Sequence, residues 1–135
     1  MSGAGLASAA EFLVGTHFRL HGRDPATGLD CIGVLAAALA ACGRPTVPPN
    51  FYTLRMRTIP EFGESASTAG FALCTGRILP GDVVLVRIGP CQFHLLVRVG
   101  DGEFVHAHAG LKRVVRSALP TQWQVTRHWR LAEKD

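Results

Sequence analysis

The sequence predicts an α+β fold, with N-terminal helices packed on a C-terminal antiparallel sheet of about five strands. Two features predict it: small and apolar residues in the first half form helix-length runs, and short stretches rich in β-branched residues follow one another in the second half. Glycine, proline and aspartate separate those stretches, which is typical of hairpin turns. Helices followed by an antiparallel meander form an α+β domain.

The first half of the chain predicts two helices and a third, weaker one. The first helix is expected over residues 6–14, and the second over residues 31–42. Asp30 is the natural N-cap of the second helix, and Gly43 is its stop signal. A proline-rich loop follows, after which residues 61–74 (EFGESASTAGFALC) are the third helix candidate.

Five strands are predicted in the second half. Each combines apolar or β-branched residues with turn signals at its ends. The five segments are DVVLVRI (82–88), QFHLLVRV (92–99), EFVHAHA (103–109), LKRVVR (111–116) and QVTRHWRL (124–131).

Length and composition favour one domain that spans residues 1–135. A chain of this length buries a sizeable core, and 47% hydrophobic with 18% charged residues is ordinary for a globular protein. No apolar run reaches the roughly 18 residues that cross a bilayer, so no membrane insertion is expected. A formal net charge of +4 favours anionic partners. Because the arginines are scattered, we expect no nucleic-acid partner, and acidic cell-wall polymers fit at least as well.

Three histidines lie on two neighbouring predicted strands, His94 on the first and His106 and His108 on the second. A three-residue loop over 100–102 would bring all three to one face of the sheet. A two-residue turn over 101–102 would put His94 and His106 on opposite faces, because a slip of one residue inverts every side chain. The sequence suits both turns. We predict the three-residue loop, since only that register allows a shared site.

Cys31, at the start of the second predicted helix, could react together with these histidines. The helix N-terminus favours the thiolate of Cys31, and an imidazole such as His94 can accept its proton. His106 or His108 could orient that imidazole, and the backbone N–H of Cys31 could help to bind an oxyanion. The neighbouring Asp30 opposes thiolate formation unless it caps the helix or meets a substrate cation. The combination is typical of a cysteine hydrolase.

A metal site is the competing interpretation of the same residues. Cys91, His94, His106 and His108 are four potential ligands on neighbouring strands. Residues three apart on a strand point to opposite faces, so Cys91 and His94 would need a bulge to share one ion. We therefore predict no metal and no cofactor.

Three blocks of the chain resemble the NlpC/P60 family of cysteine peptidases, and within it the compact phage and prophage cell-wall peptidase group. They are GTHFRLHGRDPATGLDCIGV, LPGDVVLVRIGPCQFHLLVRVGDG and EFVHAHAG, in the order of the family's nucleophile, general-base and third-residue blocks. The resemblance covers most of the chain. It implies a papain-like fold in which Cys31 is the nucleophile, His94 the general base and His106 the orienting residue.

The resemblance also implies a substrate, the peptide stems of bacterial peptidoglycan, commonly cut between D-γ-glutamyl and a diamino acid such as diaminopimelate. Two departures leave the bond open. Phe18 stands where the family often has tyrosine, and Ile32 stands where it often has serine. The candidate substrate-binding residues are Asp30, Arg19, His21 and His108.

Delivery to such a substrate is a separate question. The N-terminal stretch lacks a basic region, and Glu11 interrupts its apolar run, so no standard export signal is expected. The resemblance then suggests a protein made in the cytoplasm and carried to the wall in the tail or tail tip of a phage, prophage or gene-transfer particle, or released by holin-assisted lysis. A catalytically weak or inactive structural module of such a tail tip is the alternative function.

Overall fold

Two helices and a six-stranded antiparallel sheet make up most of the computed structural model. The structure describes residues 2–20, 22–43, 70–89 and 92–131. The helices are α1 (Ser2–Phe12) and α2 (Cys31–Ala41). The strands are β1 (Arg23–Asp24), β2 (Gly28–Leu29), β3 (Phe71–Cys74), β4 (Val83–Gly89), β5 (Gln92–Arg98), β6 (Glu103–His108), β7 (Arg113–Ala118) and β8 (Gln124–Leu131). No helix in the described part of the chain is long and apolar enough to cross a membrane.

The large sheet confirms the predicted α+β fold. Its strand order is β3-β8-β4-β5-β6-β7, and every neighbouring pair is antiparallel. The five predicted strands are all present, with ends that differ from the prediction by up to two residues. The sixth strand, β3, pairs with β8 at one edge of the sheet.

The prediction of a third helix is wrong where the structure describes that segment. Residues 71–74 form β3, whereas residues 61–69 lie outside the described residues. Gly70 has φ +95°, which interrupts a right-handed helix. Phe71 then lies opposite Leu131 and is buried, so pairing with β8 outweighs the weak local helix preference.

The sheet separates two apolar clusters. The larger one joins both helices to alternate positions of the central strands, and α2 contacts β5 and β6. The smaller one uses the intervening positions, and Trp123 and Leu119 pack against it; its buried members are Val84, Val86, Leu96 and Phe104. Both faces of the central strands are therefore covered.

A buried carboxylate ties β4 to β8. Asp82 is 1% exposed and accepts hydrogen bonds from Nε and Nη2 of Arg130, at 2.9 and 3.0 Å. It also accepts the backbone N–H of Leu79 at 2.9 Å. A buried charge of this kind needs such partners. The contact holds the start of β4, and hence the register of the strands that follow.

Candidate active site

Cys31 is the first residue of α2, as predicted. The preceding Asp30 has an extended backbone, and its carboxylate accepts the backbone N–H of Gly33 at 2.8 Å. This is the N-cap interaction that satisfies one of the free N–H groups at a helix start. Cys31 is 4% exposed and is a thiol rather than half of a disulfide. The cysteine is thus held at the positive end of the helix dipole.

The chain reaches α2 through a hairpin that the sequence analysis did not predict. Strands β1 and β2 pair, and Leu29 forms a parallel bridge with Phe18. The residue before β1 lies close against α2, since a Cβ on Gly33 would collide with the carbonyl oxygen of Gly22. The segment around Phe18 therefore lies beside the start of α2.

The predicted three-residue loop between the histidine strands is confirmed. Val97 pairs with Val105 and Arg98 with Phe104, and the backbone N–H of Val99 donates to Glu103. Within the loop, residues 101 and 102 both have positive φ, at +60° and +72°. Glycine at the second of these positions suits that conformation.

This register brings the two predicted catalytic histidines together. His94 Nε2 lies 3.4 Å from His106 Nδ1, and the rings meet edge to face with centroids 5.4 Å apart. His106 Nε2 lies 3.2 Å from the hydroxyl oxygen of Ser117 on β7. Side chains of three adjacent strands thus form one hydrogen-bonded row. Ser117 was missed because it falls just beyond the predicted end of its strand.

Trp123, in the turn before β8, covers this row. Its ring meets His94 and His106 edge to face, with centroid distances of 5.8 and 5.6 Å. No pattern in the sequence points to Trp123, because a tryptophan in a turn carries no signal of what it packs against. A cavity of about 220 Å³ opens here, lined by Phe18, Ile88, Phe93, His94, His106, Ala107, His108, Ala109, Gly110 and Trp123.

Burial keeps both histidines neutral at physiological pH. Loss of hydration is the largest cause that lowers the pKa of His94 to about 3; the nearby His106 and His108 add to the lowering, and a backbone hydrogen bond with Ala107 partly offsets it. Burial and the charge of His108 lower the pKa of His106 to about 4. A neutral imidazole has an unprotonated ring nitrogen, so His94 is available to accept a proton.

We expect acid to destabilise the wild-type protein more than the His94→Gln variant. The unfolded chain takes up a proton at His94 below its ordinary pKa of 6.5, whereas the folded state stays neutral down to about 3. The stability that comes from keeping His94 neutral is therefore fully present above pH 6.5. It is lost as the pH falls toward 3, by up to about 1.4 kcal/mol per pH unit.

Urea unfolding at pH 7 and pH 4.5 measures this difference. The loss of free energy of unfolding between the two pH values should be about 2.5 kcal/mol smaller in His94→Gln. Equal losses in the two proteins would contradict burial of a neutral His94.

Asp30 serves α2 as a cap, and its side chain has no exposed surface. We expect Asp30→Ala to lower the free energy of unfolding by about 1 kcal/mol, because the N-cap is lost. Asp30→Asn keeps a capping oxygen and should unfold like the wild type in urea. An asparagine variant as unstable as the alanine variant would contradict the capping role. The predicted contact of Asp30 with substrate stays a prediction, which the activity of Asp30→Asn tests.

The other predicted substrate-binding residues differ in position. Arg19 is exposed, next in sequence to the cavity residue Phe18. His108 lines the cavity, and its Nδ1 accepts the backbone N–H of Leu111 at 3.0 Å, so a neutral His108 carries its proton on Nε2. His21 lies outside the described residues.

The competing metal site gains no support from the described residues, among which no group of three or more His, Cys, Asp or Glu side chains could hold a metal ion. Cys91, the fourth ligand of that interpretation, lies outside the described residues. The closest imidazole nitrogens instead face each other at hydrogen-bonding distance.

Known proteins resemble this chain in structure rather than in sequence. No protein-family model and no curated protein matches it. NlpC2 from Trichomonas vaginalis superimposes on 98% of the chain with a TM-score of 0.73 at 19% identity, although the chain spans only 47% of that structure's length. The NlpC/p60 domain of the peptidoglycan hydrolase SagA matches 95% of the chain and 97% of its own length, with a TM-score of 0.66 at 20% identity. The peptidoglycan hydrolase RipB from Mycobacterium tuberculosis matches 97% of the chain and 68% of its own length, with a TM-score of 0.61 at 19% identity. The chain therefore has the NlpC/P60 fold.

Proposed function

We propose that the protein is a cysteine endopeptidase of the NlpC/P60 family that hydrolyses peptide stems of bacterial peptidoglycan. The observation that carries this proposal is the buried, neutral pair of His94 and His106 on the strands that α2 contacts. Cys31 begins α2, and Leu95 and Ala107, which share its apolar cluster, lie on the sheet face opposite to the two histidines, so the approach of the thiol to His94 is part of this proposal. The fold is shared with structures described as peptidoglycan hydrolases.

In the proposed reaction, His94 takes the proton of the Cys31 thiol, and the sulfur attacks the carbonyl carbon of the scissile amide. Because His94 Nε2 faces His106, the other ring nitrogen, Nδ1, is the one available to the thiol. The imidazolium of His94 then donates that proton to the leaving amine, which leaves a thioester on Cys31. A water molecule, deprotonated by His94, attacks the thioester and releases the acid product and the thiol.

The edge of the cavity is suited to a substrate with carboxylates. The side chains of Lys112 and Arg113 are exposed. Their backbones lie against the segment that carries Phe18: Phe18 N–H donates to the carbonyl of Lys112, and His17 bridges Arg113. Together with the exposed Arg19, these cations are close in sequence to cavity residues, and we propose that they attract the carboxylates of a peptide stem. The apolar cavity wall beside it can take the methylene and methyl groups of the same stem.

The bond proposed to be cut is the one between D-γ-glutamyl and the diamino acid. Phe18 lines the cavity, so the place where the family often has a tyrosine hydroxyl is apolar here. Ile32 is 3% exposed, which keeps it out of contact with solvent beside the nucleophile. Phe18 and Ile32 affect how the substrate is bound. The proposed nucleophile, Cys31, and the proposed general base, His94, are both present.

Digestion of diaminopimelate-containing peptidoglycan tests the function and the bond together. Purified protein under reducing conditions should release peptides whose masses identify a cut after D-γ-glutamyl. Masses that identify another stem bond would support the hydrolase and correct the bond. No release from several wall types would overturn the hydrolase and favour the inactive tail-tip module.

We also propose that a phage-like particle carries the protein to the wall, on the basis of the sequence resemblance alone. Particles purified on a density gradient and analysed by mass spectrometry should contain the protein in a constant ratio to a tail protein. Purified particles without it would contradict this route and favour release by lysis.

A further inference from the structure

Ser117 ends a row of side chains that crosses three strands. It lies on β7 opposite Phe104 of β6, while His106 lies opposite Val115, so Ser117 and His106 are diagonal neighbours on one face. The hydroxyl oxygen of Ser117 is 3.2 Å from His106 Nε2, and His106 Nδ1 is 3.4 Å from His94 Nε2. Ser117 is half-buried, so its hydroxyl is shielded but can still reach a second partner.

Two arrangements of protons satisfy this row. In the first, His94 Nε2–H donates to His106 Nδ1, and His106 Nε2–H donates to Ser117. In the second, Ser117 O–H donates to His106 Nε2, and His106 Nδ1–H donates to His94 Nε2. A neutral imidazole carries one proton, so His94 Nδ1 is unprotonated in the first arrangement and protonated in the second. Only the first leaves His94 able to take a proton from a thiol.

Hydrogen bonds, rather than charged side chains, decide between the two proton arrangements. The charges that act on them are those of neighbouring imidazoles, and no carboxylate in the described part of the chain contributes. The ring of Trp123 covers both imidazoles and contacts them edge to face. The Ser117 hydroxyl ends the row beside His106 and can accept a hydrogen bond without adding a charge, and the backbone of Ala107 is a further hydrogen-bond partner of His94.

We propose that Ser117 is a positioning residue: its hydroxyl oxygen accepts the Nε2 proton of His106 and so holds His106 in the tautomer whose Nδ1 accepts the Nε2 proton of His94. This inference rests on the proposed function, in which His94 Nδ1 accepts the proton of Cys31. Ser117 is thus a third polar group in the row of His94 and His106, and it acts on the proposed general base His94 through His106.

A matched pair of variants tests the proposal. Ser117→Thr keeps the hydroxyl, whereas Ser117→Val has nearly the same shape as threonine and lacks it; both residues suit a strand. The tautomers of the imidazoles are read from ¹⁵N chemical shifts of labelled protein at neutral pH, with the His94 and His106 signals assigned from glutamine variants. This readout needs no substrate.

We expect His106 to carry its proton on Nε2 in the wild type and in Ser117→Thr, and to shift toward the Nδ1–H tautomer in Ser117→Val. The rate of Cys31 alkylation by iodoacetamide should fall about fivefold to tenfold in Ser117→Val only, the loss expected for one hydrogen bond. If wild-type His106 carries its proton on Nδ1, or if valine leaves the tautomer and the rate unchanged, the proposal is overturned. Failure of peptidoglycan digestion with the expected tautomers would instead overturn the proposed function and leave the positioning by Ser117 in place.

Discussion

Replacing Cys31 with alanine is expected to abolish release of stem peptides, with a fall in kcat of at least about 1,000-fold. Without the sulfur, no thioester forms, and only water at low reactivity remains to attack the amide. The fold should survive, because alanine suits a buried position at a helix start and leaves the Asp30 cap intact. Chromatographic separation of soluble peptides from a digest measures the loss, and thermal unfolding checks the fold.

Cys42 offers a matched control for this result. It lies at the other end of α2 as its C-cap residue, is also a free thiol and is half-buried. Cys42→Ala should digest peptidoglycan like the wild type, and iodoacetamide at mildly acidic pH should label Cys31 before Cys42. Equal activity of wild type and Cys31→Ala, or no preference in labelling, would contradict the role of Cys31 as nucleophile.

Replacing His94 with glutamine is expected to lower kcat by about 100- to 10,000-fold, the range typical of a missing general base. Glutamine can still donate a hydrogen bond to His106 through its amide but cannot take up a proton from a thiol. The effect should fall on kcat more than on KM, because the lost interaction belongs to the transition state. Steady-state rates on a purified stem peptide separate the two parameters.

His128 is a suitable comparison, because it is another buried histidine of the same sheet. It lies on β8 beside the carboxylate of Asp82, at 3.7 Å, rather than in the row of His94 and His106. His128→Gln should keep the wild-type kcat, with unfolding followed in parallel to show that both variants are folded. A His94→Gln variant with wild-type kcat would show that another group takes the proton.

The neutral state of the histidines distinguishes this site from one that rests as a preformed ion pair. With pKa values of about 3 and 4, His94 and His106 carry no positive charge that could pair with a thiolate in the free protein. In the proposed reaction, the proton of Cys31 moves to His94 when substrate binds, and negative charge develops on the substrate carbonyl as the sulfur attacks. The apolar cover provided by Trp123 and Phe93 is consistent with that sequence of events.

Local patterns in the sequence were sufficient for several features. Asp30 before Cys31 marked the start of α2, since a carboxylate at an N-cap is a strong local signal. The strands of the central sheet followed from short apolar runs between turn residues. Gly102 made the three-residue loop possible, although the alternative turn suited the sequence as well, and the structure confirms the register that aligns His94 with His106.

Other features depended on residues far apart in the chain. A local pattern indicates on which face of a strand a side chain lies, but not which strand lies beside it or what covers that face. The segment of β3 therefore has a helix-like local pattern, and its pairing with β8 makes it a strand. Ser117 and Trp123 reach the histidines only because β7 and the turn before β8 lie against them in the sheet.

The sequence by itself thus determined the α+β class and the helix that begins at Cys31, and it left open the register that aligns His94 with His106. Only the tertiary structure decided that the imidazoles are buried, neutral and joined to a serine hydroxyl. The physical reason is that desolvation and hydrogen bonding depend on every atom around a group, and those atoms come from strands and turns whose positions no local stretch of sequence specifies.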